Sequence, residues 1–372
     1  MKIFEPLVLK FEDGNWANDP ELGLMDIILE QNPKLIKLLE SDITKGKTSS
    51  VFGRKDTPSV EQIVRAAIYR EMKNLDYRSL EYAQEDSKIC EKFVKINPKR
   101  PYSFQVMQKY ISRISAEKLE KFMVEMNKIA ITEGLEDIQN FRQDTTVVET
   151  NIHYPTNNSL IWDCIKECER LLRQLKDEIE NFTYEDYKKK AKKIYFKINV
   201  EKNAEKQAKL FQKQLKMFIE CINQVSNIVK KKSKYGVTIK AMCIIEVLER
   251  FIPVMEKVYS MTERREILKE KVPVEEKIFS IYEMHTDIIV KGQRDVQFGH
   301  KINLGSGKSN LILTCDILTG NPKDSLIYKN TIKKLIKLYQ ITPKSSTADG
   351  GFASTVNIEY SRNVGIANIV SC

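Results

Sequence analysis

The chain has 372 residues, 42% of them hydrophobic and 30% charged, which is enough apolar content to bury a sizeable core of two or three domains and excludes a low-complexity or disordered chain. Sixty-one Lys and Arg outweigh fifty-one Asp and Glu, and the formal charge of +10 favours polyanions as partners, with acidic surfaces a weaker alternative. Seven scattered cysteines without a C-x-x-C pair argue for reduced thiols in a cytosol, and no apolar run approaches the ~20 residues that span a bilayer, so secretion and membrane insertion are not expected.

In chain order, residues 25–30 and 35–40 predict short amphipathic helices, followed by a flexible stretch from Lys45 to Ser50. Thr57, with Pro58 behind it, predicts the cap and first turn of a helix whose apolar face is Ile63, Val64, Ala67, Ile68 and Met72. A break at Asn74, Leu75 and Asp76 precedes a second helix over 77–85, and Ser103 is expected to cap a third carrying Val106, Met107, Tyr110, Ile111 and Ile114. Arg65, Arg70, Lys73, Arg78, Lys109 and Arg113 fall outside this core pattern. A helix-turn-helix reader of DNA has that pattern, and so does a plain helical bundle.

From Phe141 the period changes from helical to alternating: Arg142, Asp144, Thr146 and Val148 share one face, with Gln143, Thr145 and Val147 on the other. Asp144 therefore sits inside a strand, where aspartate is disfavoured. Ile161 opens a long helical tract that persists to about residue 271, with stripes such as Leu215, Phe218, Ile222, Val225 and Val229 that predict a hairpin or bundle. Cys164 and Cys168 lie on one face of it; without a second Cys/His pair at zinc spacing they read as packing residues, and Trp162 likewise. The cluster Lys188, Lys189, Lys190, Lys192 and Lys193 reads as a solvated helix face.

Alternation returns at His285. Three strands, over 285–290, 298–304 and 311–318, are expected, with turns at Lys291-Gly-Gln and Gly305-Ser-Gly307. Gly305-Ser-Gly-Lys-Ser309 looks like part of a phosphate loop, but Ile302 stands where the first glycine belongs and a strand follows, so a hairpin turn is the expectation. A helix over 323–338, a strand ending at Asp349, a short helix and a strand over 366–370 complete the chain. Asp144 and Asp349, each at the end of or within a β-branched run, are the candidate chemistry: apposed carboxylates repel by roughly 4 kcal/mol at an effective dielectric near 20, so their apposition makes sense chiefly around a divalent cation. Oxygen ligands select Mg²⁺ or Mn²⁺, and the matching reaction is phosphoryl transfer. Taken singly, Asp144 reads equally as a strand aspartate held by Arg142 or a backbone donor, and Asp349 as a turn residue before Gly350 and Gly351.

Several runs in order resemble bacterial insertion-sequence transposases of the DDE type: Asp144-Thr-Thr-Val-Val-Glu-Thr-Asn-Ile-His-Tyr-Pro-Thr, His285-Thr-Asp-Ile-Ile-Val-Lys-Gly, Phe298-Gly-His-Lys-Ile, Gly320-Asn-Pro-Lys-Asp-Ser325 and Asp349-Gly-Gly-Phe-Ala-Ser. The stretch from Ser59 to Ile96, with Tyr77-Arg-Ser-Leu-Glu, is similar to the N-terminal domain that such transposases carry. The resemblance implies an α/β ribonuclease H-like catalytic core with a mixed sheet, whose first and fourth strands, bearing Asp144 and Asp349, lie side by side. It implies an all-α N-terminal DNA-binding domain over 1–135, a core built from 136–164 and 283–372, and a long helical insertion over 165–282. The implied metal ligands and catalytic residues are Asp144 and Asp349 with Mg²⁺ or Mn²⁺. The implied DNA contacts are Arg65, Arg70, Lys73 and Arg78, with His300 and Lys301 in a shared motif. The partners implied are double-stranded DNA, as terminal inverted repeats and target, and further copies of the chain in a homo-oligomer assembled on it. The place implied is the nucleoid of a bacterial cytoplasm.

One departure from the family pattern carries an expectation of its own. The third acid of such transposases is a glutamate on a helix after the fifth strand, and here the chain stops at Val370-Ser-Cys372. Glu359 lies on the wrong element and Glu149 on the opposite strand face, so neither is assigned to a triad. A truncated transposase with impaired strand transfer is therefore expected, with a non-catalytic DNA-binding remnant or inhibitor of transposition as the alternative.

Overall fold

The structure is a computed structural model that describes residues 18–45, 57–97, 99–235, 238–290 and 296–371. The stretch 46–50, the turn at 291–293 and Cys372 lie outside the described residues. The N-terminal elements are α1 (Pro20–Gln31), α2 (Lys34–Ile43), α3 (Val60–Met72), α4 (Tyr77–Asp86), α5 (Lys88–Val94), α6 (Phe104–Ile111) and α7 (Ala116–Thr132). Strand β1 (Asn140–Glu149) leads to α8 (Asn157–Glu178), α9 (Lys188–Val200), α10 (Ala204–Lys230), α11 (Lys232–Tyr235) and α12 (Ile239–Thr262). The chain continues through β2 (Asp287–Ile289), β3 (Gln297–Ser306), β4 (Ile312–Ile317), α13 (Asp324–Tyr339), β5 (Ser345–Ala348), α14 (Thr355–Asn363) and β6 (Asn368–Ser371).

These elements divide into two compact units: Met1–Thr145 with Asn303–Asp316 and Lys323–Cys372, and Thr146–Ile302 with Ile317–Pro322. The N-terminal helices fall in the same unit as Asp144 and Asp349. The helical insertion forms the other unit together with β2 and the outer parts of β1 and β3.

In the first unit, α3 is capped two residues later than expected. The Ser59 Oγ accepts from the Gln62 N–H at 3.1 Å while the Gln62 Oε1 accepts from the Ser59 N–H at 3.0 Å, a reciprocal box that satisfies two orphan donors and leaves Pro58 outside the helix. Asp76 caps α4 by accepting from the Ser79 N–H at 2.6 Å. Leu22, Leu39, Ile63, Leu80, Phe93 and Met107 fill the helical core. A second cluster, with Phe141, Leu313, Tyr328, Ile332, Leu335 and Phe352, packs α13 against the sheet. In the second unit α8, α10 and α12 share one core, in which Cys164, Cys168 and Cys221 are buried as packing residues. Trp162 stacks on Tyr195 at 6.0 Å against that core.

The sheet is mixed, in the order β2-β3-β1-β5-β6 with β4 on β3. β1 and β5 are parallel, as are β5 and β6, while β2 and β3 are antiparallel. The β3–β4 connection is a hairpin, as expected. Its backbone donors are already taken: Glu136, nearly fully buried, accepts from the Ser309 N–H at 2.8 Å and the Leu311 N–H at 3.0 Å. A Cβ on Gly307 would come within 2.4 Å of that carboxylate, so the glycine is what lets Glu136 approach the turn.

Candidate functional site on the paired strands

The parallel register of β1 and β5 sets Asn140 across from Ser345 and continues to Gln143 across from Ala348. One further step brings Asp144 opposite Asp349, and neighbouring strands lie about 4.8 Å apart. The two faces agree. Gln143 and Ala348 are buried, whereas Asp144 and Asp349 are both exposed. Two residues far apart in sequence are therefore neighbours along adjacent strands, Asp144 within β1 and Asp349 one residue past the end of β5.

What fixes Asp144 outward is a buried polar layer on the other side of β1. Gln143 donates to Asn303 Oδ1 at 2.8 Å and to Thr331 Oγ1 at 3.0 Å, and Asn303 donates to the same Thr331 oxygen at 2.9 Å. Thr145, also buried, donates to Asp324 Oδ1 at 3.2 Å. Since strand residues alternate, anchoring 143 and 145 to α13 leaves residue 144 no choice of face. The Asp144 carboxylate accepts from the Thr145 N–H at 2.7 Å, while Arg142 donates to Asn310 at 3.1 Å. The sequence alternative of an Arg142–Asp144 pair thus gives way to a backbone donor. Asp349 caps the short 3₁₀ turn Gly350–Phe352, accepting from the Gly351 N–H at 3.0 Å.

Sequence reasoning left one acid unassigned. Asp324, in the first turn of α13, lies beside Asp349: the point where a Gly351 Cβ would stand is 3.1 Å from Asp349 Oδ1 and 3.2 Å from Asp324 Oδ2. Its signal was present in the quoted run Gly320-Asn-Pro-Lys-Asp-Ser325 and in its favourable place at a helix N-terminus. Beside Asp349 opens a cavity of about 620 Å³, lined among others by Tyr328, Ser346, Asn357, Arg362 and Asn368. Tyr328, Ser346 and Ser361 are joined by hydroxyl hydrogen bonds of 2.9 Å that hold α13, β5 and α14 together at its wall. Among the described residues no three His, Cys, Asp or Glu side chains converge as a ready metal cage. Two carboxylates with oxygen-only donors still suit a hard cation that takes its remaining ligands from water and a phosphate.

The cationic residues fare unevenly. Arg65 is fully buried and paired with Asp26, Glu30 and Glu61, so it is a core residue and not a DNA contact. Lys301 is also buried, its ammonium donating to the Pro322 carbonyl at 2.7 Å, which removes it from the phosphate-contact set. Arg70 is half-buried over the Tyr77 ring and beside Glu71; Lys73 is exposed and pairs with Asp19; Arg78 is exposed over the Phe104 ring. His300 is half-buried in the second unit, 4.0 Å from the Asp287 carboxylate and with its ring 4.9 Å from that of His285. Among the described residues no helix is long and apolar enough to cross a membrane. No family model, curated protein or solved structure matches the chain.

Proposed function

We propose that the chain is a DDE-type transposase with a ribonuclease H-like core, acting on DNA by metal-dependent phosphoryl transfer. The observation that carries this reading is the parallel register of β1 and β5, which runs from Asn140 across from Ser345 to Gln143 across from Ala348, the residues just before Asp144 and Asp349. The strand order, with β1 between β3 and β5 and β5 parallel to β6, supports the fold assignment. Asp144 and Asp349 would hold Mg²⁺ or Mn²⁺, which when bound supplies charge neutralisation at a phosphodiester and activation of the attacking oxygen. The chain's own contribution is positioning: Gln143 and Thr145 lock β1, and the 3₁₀ turn after β5 holds Asp349. The net positive charge favours encounter with the DNA backbone, to which Lys73, the exposed C-cap of α3, and Arg78, exposed on α4, would contribute. On this reading two ends are synapsed by an oligomer in the bacterial cytoplasm.

The test uses a duplex spanning the borders of the gene that encodes the chain, with Mg²⁺ or Mn²⁺. Strand cleavage that Asp144→Asn or Asp349→Asn reduces at least 100-fold, with DNA affinity unchanged, is the expected result. Mn²⁺ should also raise the melting temperature of the wild type and not of the double variant. Cleavage that survives both substitutions would sink the assignment. A second reading, occupancy of DNA ends without strand chemistry, draws on the lack of a three-ligand cage among the described residues. End-specific binding without any cleavage, indifferent to both substitutions, would favour it.

A further inference from the structure

Nearly all of the net positive charge lies on one helical hairpin of the second unit, α9 and α10 with the turn between them. Residues 188–216 carry eleven lysines against two glutamates, a balance of +9 where the whole chain has +10. Of these lysines only Lys190 has an ion-pair partner among the described residues, Glu185 at 2.9 Å. Charges of one sign so crowded repel one another, and an anionic partner removes that cost. On α10, Lys206, Lys209 and Lys213 are all exposed, and their steps of three and four residues set them in one row roughly 10 Å long at 1.5 Å per residue.

The same hairpin leaves apolar side chains outside the core. Ile198 and Phe211 are buried, whereas Phe196 is 54% and Val200 76% exposed. With the half-buried Leu210 these two line a groove of about 650 Å³ between the helices, whose remaining walls include Lys206, Lys209 and Lys213. Phe196 is held in place: its ring meets Tyr195 edge-on at 5.4 Å, and Tyr195 stacks on Trp162 at 6.0 Å. An apolar recess rimmed by charge is the form of an interaction site, with a fixed aromatic ring as its anchor.

We infer that this groove takes an acidic amphipathic helix of a protein partner. Its apolar stripe packs on Phe196, Val200 and Leu210, and its carboxylates, repeating at three- or four-residue steps, meet the lysine row at matching intervals. The lysines alone would suit any polyanion, and the apolar groups decide among them. A phosphodiester backbone offers Phe196 and Val200 no apolar surface to bury against, and a flat bilayer surface does not enter a recess. The inference goes beyond the proposed function and rests neither on DNA as a partner nor on the aspartates.

The test is fluorescence anisotropy of the full chain with two labelled peptides of one composition. The first is two repeats of Leu-Glu-Glu-Leu-Leu-Glu-Glu, which puts its leucines on one helical face; the second is a scramble that spreads them around the helix. The amphipathic peptide should bind about 10-fold tighter or better, as one buried aromatic anchor produces. Phe196→Ala, at a position exposed to solvent, should erase that preference while leaving the scramble unaffected. Lys206→Gln, Lys209→Gln and Lys213→Gln together should weaken both peptides by the same factor and flatten their salt dependence. Circular dichroism checks that each variant keeps its helix content. No peptide binding, equal affinity for the two peptides, or a preference that survives Phe196→Ala overturns the inference. A DNA duplex or phosphatidylglycerol vesicles that bind more tightly than the amphipathic peptide, and lose binding in the triple lysine variant, overturn it too and assign the hairpin to that polyanion. None of these outcomes touches strand cleavage at Asp144 and Asp349, so the transposase reading is tested separately.

Discussion

Replacing Arg65 tests whether the N-terminal helices are held by a buried charge that sequence patterning assigns to DNA. The guanidinium is 0% exposed; it donates from Nη1 to Asp26 at 2.6 Å and to the Phe93 carbonyl at 3.1 Å, from Nε to Glu61 at 2.9 Å and from Nη2 to Glu30 at 2.5 Å. Lys95 reaches Glu30 and Glu61 from the outside. Arg65→Ala would leave three carboxylates around a void with one ammonium to balance them. Breaking a buried pair costs about 3–5 kcal/mol, and the partner side chains, 21% exposed for Asp26, 37% for Glu61 and 51% for Glu30, can partly rehydrate, which places the expected loss near the lower end, about 3 kcal/mol. At about 1.4 kcal/mol per factor of ten, amide hydrogens of α3 should exchange more than 100-fold faster, read by mass spectrometry on peptides covering 60–72. Arg65→Met, which keeps much of the stem, should lose less. The acid limb has a defined sign. Burial raises the Glu61 carboxyl, but the hydrogen bonds from Lys95 and Arg65 outweigh it and hold it below its ordinary value of 4.5. That contribution is therefore present above pH 4.5 and is lost as the pH falls through the lower folded value, and Arg65→Ala should shrink it. Protection unchanged within tenfold in Arg65→Ala, accompanied by weaker DNA binding, would refute the argument and return Arg65 to the DNA-contact set.

Two further outcomes are expected away from the candidate site. Glu136→Ala should lower stability by about 2–4 kcal/mol in urea unfolding, because the backbone donors of Ser309 and Leu311 lose a charged acceptor; Glu136→Gln should recover part of that, and a loss below about 0.5 kcal/mol would mean water replaces the carboxylate without cost. Among the described cysteines, Cys243 and Cys315 should react with an aromatic disulfide in the native protein, while Cys90, Cys164, Cys168 and Cys221 should react only after unfolding. Burial pushes the Cys90 thiol up from 9.0 to about 12, so its contribution to stability is complete below pH 9 and declines as the pH rises toward 12. Rapid native labelling of Cys90 would contradict its packing.

β1, β5 and α13 occur within one or two residues of where the sequence placed them, α13 on its helical spacing of apolar residues and β1 on alternation from Phe141. The failures share one cause, polar residues on buried faces. Arg65 stands beside Ile63, Val64 and Ala66, all buried, but its acids come partly from α1, so nothing local marks it as core. Along β3 the inward positions are Gly299, Lys301, Asn303 and Gly305, a set with no apolar side chain at all, so alternation could not reveal which face was buried.

Strand pairing was the step beyond the reach of local pattern, and on it the candidate site depends. Asp144 lies four residues beyond Asn140, and Asp349 four beyond Ser345, so pairing Asn140 with Ser345 brings the two backbone positions to the same level. A slip of one residue would turn one aspartate toward the polar layer under α13 and bury a charge without a partner. The hydrogen bonds of Gln143 to Thr331 and of Thr145 to Asp324 oppose such a slip from β1, and the Tyr328 to Ser346 hydroxyl bond opposes it from β5. All three end on α13, so one helix sets the register that brings the two aspartates together.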